Sequence, residues 1–261
     1  MKFVNDIAKN EVSKVPAVTL IFWVIKILAT TLGETGGDAV SMSMNLGYLT
    51  ATIIFLGIFI TVVAAQVTFK SFRPLLYWAV IVATTTLGTT LADFADRSLG
   101  IGYAGGSSLL LILLLTSLGI WYMAAGSVSV ETITSPKVEM FYWGTILFSQ
   151  TLGTALGDWM ADTNGFGYEG GALVFGAGLA LVAAGYFFTS VSRTLLFWAA
   201  FILTRPLGAT LGDLLDKPVD HGGFAFSRYS ASGVLAALII ACLLLLPQKA
   251  GYHPGQGQKI S

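Results

Sequence analysis

Charged residues are scarce in this chain of 261 residues: Asp, Glu, Lys and Arg make up 11%, whereas hydrophobic residues make up 55%. A soluble domain carries about 25% charged residues, so the composition excludes an ordinary water-soluble fold. The formal net charge at pH 7 is zero, so the composition gives no indication of the excess of basic residues typical of nucleic-acid-binding proteins. We therefore expect the lipid bilayer as a partner and no nucleic acid.

Cysteine and histidine are nearly absent. The single cysteine, Cys242, lies in the apolar run "GVLAALIIACLLLLP" and cannot form an internal disulfide. The two histidines, His221 and His253, lie in a predicted loop and tail, so no cluster has zinc-binding spacing. The chain also lacks a Gly-x-Ser-x-Gly elbow and a Walker motif. We expect no enzyme activity and no cofactor.

Long apolar runs, by contrast, fill the chain. A membrane-spanning helix needs about 20 apolar residues, and eight runs qualify: 15–38, 47–68, 74–96, 103–125, 138–161, 168–190, 194–216 and 226–246. The predicted fold class is an all-α integral membrane protein with one transmembrane domain, residues 15–246. Residues 1–14 are expected to be a cytosolic segment without a signal peptide, and residues 247–261 a flexible cytosolic tail.

The distribution of basic residues predicts the orientation. With the N-terminus inside, nine Lys and Arg residues lie on the inner side and three on the outer side. The positive-inside rule then places both termini in the cytoplasm, and we expect a multi-pass protein of the bacterial inner membrane. A homo-oligomer is compatible with the sequence.

A repeat with four copies is the strongest signal in the sequence. Each copy has a tryptophan, a glycine ten residues later, an aspartate five residues after that glycine and a second glycine fourteen residues after the first. No gap is needed to align these four positions, so chance agreement is excluded as an explanation. The tryptophans are Trp23, Trp78, Trp143 and Trp198; the glycines are Gly33, Gly88, Gly153 and Gly208; the aspartates are Asp38, Asp93, Asp158 and Asp213; the second glycines are Gly47, Gly102, Gly167 and Gly222.

The spacing of the copies predicts the architecture. Successive tryptophans lie 55, 65 and 55 residues apart, so copies one and three, like copies two and four, are separated by 120 residues. A duplicated two-copy unit explains this. Each copy, at about 15–68, 74–125, 138–190 and 194–246, contains two crossings and inserts in the same direction. We expect four pseudo-equivalent helical hairpins related by a pseudo-rotation about the membrane normal.

The tryptophans and their "LGxxxxD" partners carry a resemblance. The chain resembles a bacterial membrane-protein family of unknown function that is built from four tandem repeats, each with two transmembrane helices and a characteristic tryptophan. The resemblance covers residues 15–246, and it implies the architecture but no activity.

Polar residues at helical spacing form a stripe on each first helix and lead to the repeat aspartate. Such stripes face a bundle interior or an aqueous cavity rather than lipid. We predict that Glu34 and the four aspartates bind a substrate or an ion around a polar cavity open to the outer side. The supporting polar and charged residues are Lys26, Thr89, Gln150, Thr154, Arg205, Asp96, Asp162 and Asp216.

Simpler structural interpretations stand beside these. Small residues four apart, such as Gly33 and Gly37, allow close helix packing without any other role. The aspartates are also explained as helix ends near outer water, and Lys26 and Arg205 as members of internal ion pairs. The repeat tryptophans are explained by packing between repeats or by stacking on a ligand, and Trp121 is expected at the membrane interface.

Carboxylates with hydroxyl and amide oxygens suit hard cations, so the expected function is a secondary carrier for a cation, such as a divalent metal exchanged for protons. The identity of the metal is open at this point. Two alternatives remain: a membrane sensor or scaffold with static ion pairs between repeats, and a carrier of a small organic solute held by Lys26 and Arg205.

The predicted orientation is testable directly. Reporter fusions at Asn10 and Gln256 are both expected to show a cytoplasmic location, because the cation excess lies on that side. A periplasmic signal from either fusion would contradict the topology and the assignment of the aspartates to the outer side.

Overall fold

The computed structural model describes residues 13–130, 133, 135–163 and 165–251. The predicted reporter sites Asn10 and Gln256 lie outside these residues. Eight α-helices follow each other along the described chain: α1 Leu20–Asp38, α2 Gly47–Thr68, α3 Pro74–Asp93, α4 Tyr103–Ala125, α5 Pro136–Asp158, α6 Gly167–Phe188, α7 Arg193–Asp216 and α8 Arg228–Leu245. The helices agree with the eight predicted apolar runs.

Local sequence sets the helix starts. The hydroxyl of Thr19 accepts a hydrogen bond from the backbone N–H of Phe22 and caps α1, so α1 begins five residues later than the apolar run suggested. Pro74 and Pro136 stand in the first turns of α3 and α5, where proline costs no intrahelical hydrogen bond.

The second glycine of each repeat has a conformational role. Gly47, Gly102, Gly167 and Gly222 all have φ between 66° and 83°. A side chain is disfavoured in this left-handed region. Three of these glycines stand at or beside the start of an even-numbered helix, and Gly222 ends a short 3-10 turn, Val219–His221. The repeat therefore keeps glycine here because the chain turns sharply before it re-enters the bundle.

The odd-numbered helices form a closed inner ring. α1 packs on α3, α3 on α5, α5 on α7 and α7 on α1, and most residues of these helices are buried. We call the interior of this ring the axial core. Because all four helices run in the same direction, the core has a tryptophan end and an aspartate end. A ring of four alike helices is consistent with four-fold pseudo-rotation about the bundle axis.

The even-numbered helices form an outer layer, and their packing differs from a set of closed hairpins. α2 packs along α3, α4 along α5, α6 along α7 and α8 along α1. Each even helix thus packs mainly on the first helix of the next repeat, and α8 closes the circle. The repeats are sequence units that interlock, because a two-helix unit alone leaves its apolar faces uncovered.

Exposed apolar side chains cover the outer layer, for example Leu49 and Ile53 on α2, Ile112 on α4 and Leu181 on α6. Seven of the eight helices are long and apolar enough to cross a membrane. The exception is α5, whose 23 residues include Lys137, Glu139, Gln150 and Asp158. Apolar faces outside and polar groups inside are typical of multi-pass membrane proteins.

An aromatic layer closes the tryptophan end of the axial core. Each repeat tryptophan packs on the aromatic residue that precedes the tryptophan of the previous repeat. Ring centroids lie 5.4 Å apart for Phe22–Trp78, 5.5 Å for Tyr77–Trp143, 6.4 Å for Tyr142–Trp198 and 5.7 Å for Phe197–Trp23. This cyclic arrangement supports the packing interpretation of the tryptophans over ligand stacking.

Trp121 belongs to the same layer, and its expected position at the membrane interface was wrong. Its side chain is fully buried and meets Trp198 edge to face, with ring centroids 5.8 Å apart. Trp121 lies near the end of α4, where a tryptophan can face either lipid or a neighbouring helix. Hydropathy does not tell these two orientations apart, and here the ring packs beside α7.

Chain segments next to the helices cover the aromatic layer. Pro16 forms an isolated antiparallel bridge with Ala250, so residues 247–251 of the predicted tail lie against the segment before α1. Lys14 makes a buried ion pair with Glu139 of α5 at 2.6 Å. Aromatic packing and a segment held by the ion pair therefore cover the tryptophan end of the axial core in the part of the chain that the structure describes.

Close helix contact in the ring predicts a difference between two glycines. A Cβ on Gly88 would lie 3.0 Å from the carbonyl carbon of Gln150, whereas a Cβ on Gly144 would meet nothing within 4 Å. Gly88→Ala is expected to destabilise by about 1–3 kcal/mol through overpacking, and Gly144→Ala is expected to be neutral or stabilising. Thermal unfolding in detergent measures both; equal stability of the two variants would contradict the close packing.

Candidate functional site

Glycines bring the four inner helices together at one level. Each first glycine of the repeat touches a polar residue on the next inner helix, so a Cβ added to the glycine would be too close to that residue. The neighbours are Thr85 for Gly33, Gln150 for Gly88, Arg205 for Gly153 and Thr30 for Gly208. We call these four neighbours the Arg205 layer: Thr30, Thr85, Gln150 and Arg205. All four are fully buried. The small residues therefore serve the packing role, and they also set polar side chains into the axial core.

Arg205 lies at the centre of the ring. Its Nη2 lies within hydrogen-bond distance of Glu34 of α1 at 2.9 Å, Thr89 of α3 at 2.6 Å and Thr154 of α5, and its two N–H groups are shared among these acceptors. One guanidinium group thus contacts all three other inner helices. The pair with Glu34 agrees with the interpretation of Arg205 as a member of an internal ion pair, and Thr89 and Thr154 are among the predicted supporting residues.

The repeat aspartates lie about one turn beyond Glu34 and are 1–4% exposed. Lys217 joins two of them: its Nζ lies 2.6 Å from Asp38 and 2.9 Å from Asp213. The ion pair links α1 to the end of α7. A helix-end role in bulk water is therefore excluded for Asp38 and Asp213.

A second pair of aspartates is joined in the same way. Arg97 lies 3.1 Å from Asp93 and 3.0 Å from Asp158, and thereby links α3 to α5. We call the four aspartates with Arg97 and Lys217 the ion-pair layer. The two cations occupy equivalent repeat positions, four residues after Asp93 and Asp213.

Arg97 and Lys217 were missed as site residues, because the sequence placed them among the outer cations. A signal was present, since an acid and a base four residues apart share one face of a helix. The prediction of an open polar cavity also needs amendment: the aspartates come together, but they are buried beneath these two cations.

The charge state of Lys217 follows from its surroundings. Burial by itself would lower the pKa of the Lys217 ammonium. The carboxylates of Asp213, Asp38 and Asp216 outweigh burial, and the pKa stands well above its ordinary value. Lys217 is therefore a cation at physiological pH and supplies a fixed positive charge between Asp38 and Asp213.

Three carboxylates have the geometry of a metal site. Oxygen atoms of Glu34, Asp38 and Asp213 all lie within 4.8 Å of one another, and all three side chains are buried. Oxygen ligands suit hard divalent cations. In the described structure two of these three carboxylates, Asp38 and Asp213, pair with the Lys217 ammonium, so this part of the cluster already binds a cation that belongs to the protein.

The repeat glycine–aspartate segments end in unusual turns. The helices α1, α3 and α5 continue as single π-helical turns, Ala39–Ser43, Phe94–Ser98 and Trp159–Thr163, directly after the repeat aspartate. Such turns often occur at functional sites. α7 instead ends at Asp216, since Pro218 follows.

Three predicted supporting acids lie at the edge of the site. Asp216 pairs with Arg228 of α8 at 3.2 Å, and Asp162 is exposed and accepts a hydrogen bond from the Tyr103 hydroxyl at 3.1 Å. Asp96 is buried against Gly106 at the start of α4. These acids connect the outer helices to the site and do not join the axial core.

Two predicted residues on the tryptophan side of Glu34 remain without polar partners. The Nζ of Lys26 lies 4.2 Å from the ring centroid of Phe201, and no acceptor contacts it in the described ranges. Both polar atoms of the Gln150 amide are likewise buried without a hydrogen-bond partner among the described residues. The two levels thus differ: every aspartate of the ion-pair layer has a cationic partner, whereas Lys26 and the Gln150 amide have neither an ion pair nor a hydrogen bond among the described residues.

The bridge formed by Lys217 predicts a pH-dependent effect on stability. Lys217→Gln leaves Asp213 buried without a counter-charge and Asp38 with Arg228 alone, 3.7 Å away and shared with Asp216. This is expected to cost about 3–5 kcal/mol at neutral pH. Because the pKa of the Lys217 ammonium stands well above its ordinary value of 10.5, the stabilisation is complete at neutral pH and is lost only as the pH rises through the raised pKa. The difference in stability between wild type and Lys217→Gln should therefore stay constant from pH 7 to pH 9 and shrink only at higher pH. Thermal unfolding in detergent across this range is the measurement.

The exposed Lys137 provides the control for this series. Lys137→Gln is expected to leave the unfolding temperature and its pH dependence unchanged. If Lys217→Gln behaved in the same way as this control, Lys217 would not hold the carboxylates together.

Comparison with known proteins assigns the repeat. No curated protein and no solved structure shows significant similarity to the chain. The family model described as Repeat of Unknown Function (DUF347) matches four times, at residues 21–72, 76–127, 141–192 and 196–247. These matches coincide with the four copies defined by the tryptophans and aspartates and cover most of the chain. The chain therefore belongs to the DUF347 repeat family.

Proposed function

We propose that the chain is a secondary carrier that binds a divalent cation at Glu34, Asp38 and Asp213 and exchanges it for protons. The observation that carries the proposal is the buried carboxylate cluster with the Lys217 ammonium between its oxygens. A site that holds an internal cation already has the oxygen ligands that a transported cation needs.

Charge balance favours a divalent cation. Glu34 is paired with Arg205, and Arg228 balances Asp216 at 3.2 Å although it also lies 3.7 Å from Asp38. Two negative charges, those of Asp38 and Asp213, therefore remain for the cargo when Lys217 moves aside. A divalent cation neutralises both, whereas a monovalent cation leaves one negative charge buried, which is costly.

Lys217 is placed to act as an exchangeable counter-ion. It follows the last residue of α7 and keeps 12% of its side chain exposed, so a short movement of the Lys217–Pro218 segment would uncover the carboxylates. When the cation leaves, return of Lys217 or uptake of protons restores neutrality. Protons and cation therefore compete for the same oxygens, which is the basis of exchange.

Closure at both ends supports a carrier over a channel. The ion-pair layer covers the aspartate end, and the aromatic layer with the Lys14–Glu139 pair covers the tryptophan end. Alternating opening of two closed ends is the working principle of secondary transporters. We place this carrier in the bacterial inner membrane with both termini in the cytoplasm.

Transport by the full chain in reconstituted vesicles tests the proposal. Uptake of Mn²⁺, Mg²⁺ and Ca²⁺ is followed with an internal indicator while an internal dye reports pH. We expect Asp38→Asn with Asp213→Asn to reduce uptake and proton release at least tenfold, because two of three ligand charges are removed.

Two matched variants sharpen the test. Asp93→Asn with Asp158→Asn removes the carboxylates bridged by Arg97 and shows whether that half of the layer binds cargo. Glu169→Gln changes an exposed acid of α6 and should retain uptake. Unchanged uptake in the Asp38 and Asp213 double variant, with a folded protein by gel filtration, would refute the proposed site.

A second candidate function has its own support. All four repeat aspartates are engaged in ion pairs, which favours a scaffold or sensor with static charges between repeats. The two functions make opposite predictions: a scaffold gives no cation-dependent proton flux in vesicles, and its Asn variants lose stability without changing any flux.

A further inference from the structure

We propose that the axial core contains a second site, distinct from the carboxylates, where Lys26, Arg205 and Gln150 bind a small monovalent anion. This inference concerns the deeper part of the core and does not depend on cation transport. It rests on fully buried side chains that carry unpaired donor atoms: Nζ of Lys26, Nε2 of Gln150, and Nε and Nη1 of Arg205 have no acceptor among the described residues.

The Arg205 layer supplies most of these donors. Nε and Nη1 of Arg205 are buried without hydrogen-bond partners, although Nη2 has three. The amide of Gln150 and the hydroxyl of Thr85 occupy equivalent positions on α5 and α3 and are also unpartnered. Three of the four inner helices thus bring an unsatisfied polar group to the same level of the core.

Lys26 extends this group by one helical turn. It lies four residues before Thr30, the member of the Arg205 layer on α1, and its ammonium contacts the ring of Phe201, four residues before Arg205. Lys26 therefore faces α7 about one helical turn from Arg205, on the side of the tryptophan end. No carboxylate within 4.0 Å pairs with Lys26 in the part of the chain that the structure describes.

Protonation of Lys26 would unbalance the charge in this part of the core. Protonated Lys26 and Arg205 would carry two positive charges against the one negative charge of Glu34. A buried charge without a partner is strongly unfavourable, and the contact with Phe201 compensates only part of that cost. A monovalent anion between the ammonium and the free guanidinium nitrogens would neutralise the excess and accept hydrogen bonds from donors that otherwise lack acceptors.

The chemistry of the donors indicates the ligand class. Ammonium, guanidinium and amide N–H groups recognise halides and small carboxylates alike. Because the surrounding helices are in close contact at the repeat glycines, the site should accept chloride or formate more readily than larger anions such as gluconate.

Anion-dependent stability of the full chain in nanodiscs tests the site. Chloride or formate replaces gluconate at constant ionic strength, and the unfolding temperature is recorded. The unfolding temperature should rise with anion concentration along a saturable curve, since a ligand that binds only the folded state stabilises it. Isothermal titration with chloride gives an independent reading of the same binding.

Variants separate the site from general salt effects. Lys26→Gln should abolish the saturable response and the calorimetric heat, whereas Lys70→Gln, a change at an exposed lysine, should preserve both. The quantity compared is the change in unfolding temperature with anion concentration, not the unfolding temperature itself. Removal of a buried lysine can raise the unfolding temperature without affecting this comparison. An identical chloride response in wild type and Lys26→Gln, or no saturable response in wild type, would overturn the proposal.

The double variant Asp38→Asn with Asp213→Asn distinguishes this inference from the proposed function. Anion binding should persist in that variant even if cation uptake is lost. If anion binding disappeared only in the aspartate variant and persisted in Lys26→Gln, the donors would not form the site.

Discussion

The buried guanidinium of Arg205 is the constraint on which the ring of inner helices depends. A fully buried arginine is tolerated only when counter-charge and acceptors surround it, and here they come from α1, α3 and α5. Acceptors on three helices reach one group only if the helices lie close together. Glycine at the repeated position permits that approach, so helix packing and charge pairing are two aspects of one requirement.

The repeats give the inner helices a symmetric arrangement, and a few residues that are not repeated make the axial core asymmetric. Tryptophans, glycines and aspartates recur in all four copies, whereas Arg205 occurs once and cations follow the aspartate only in copies two and four. Since two cations bridge four aspartates, the ion-pair layer has two-fold character, as expected from duplication of a two-copy unit. Glu34 then distinguishes the Asp38–Asp213 half from the other half, and only the former has three clustered carboxylates.

Much of this arrangement could be predicted from the sequence, because apolar length and repeat spacing depend on local properties. The number and order of the helices, the equivalence of Trp78 with Trp198 and the burial of the polar stripes all followed from pattern, whereas the start of α1 did not. Packing of α2 on α3 rather than on its own repeat partner did not, because both neighbours offer apolar faces. The roles of Arg97 and Lys217 were missed, since residues beyond an apolar run look like solvated loop residues until the fold places carboxylates beside them.

Charge changes sign along the bundle axis, and this links the two proposed sites. The ion-pair layer sets four carboxylates against two cations, whereas the deeper level sets Lys26 and Arg205 against Glu34. Coulomb forces act over longer distances in a low-dielectric core than in water, so negative excess at one level stabilises positive excess at the next. Glu34 lies at the boundary and contacts both levels, through Arg205 on one side and the carboxylate cluster on the other. If a cation displaced Lys217, the electrostatic potential at Glu34 would change, and with it the strength of the ion pair between Glu34 and Arg205. Cation binding would in this way be coupled to the contacts of Arg205 with the other inner helices.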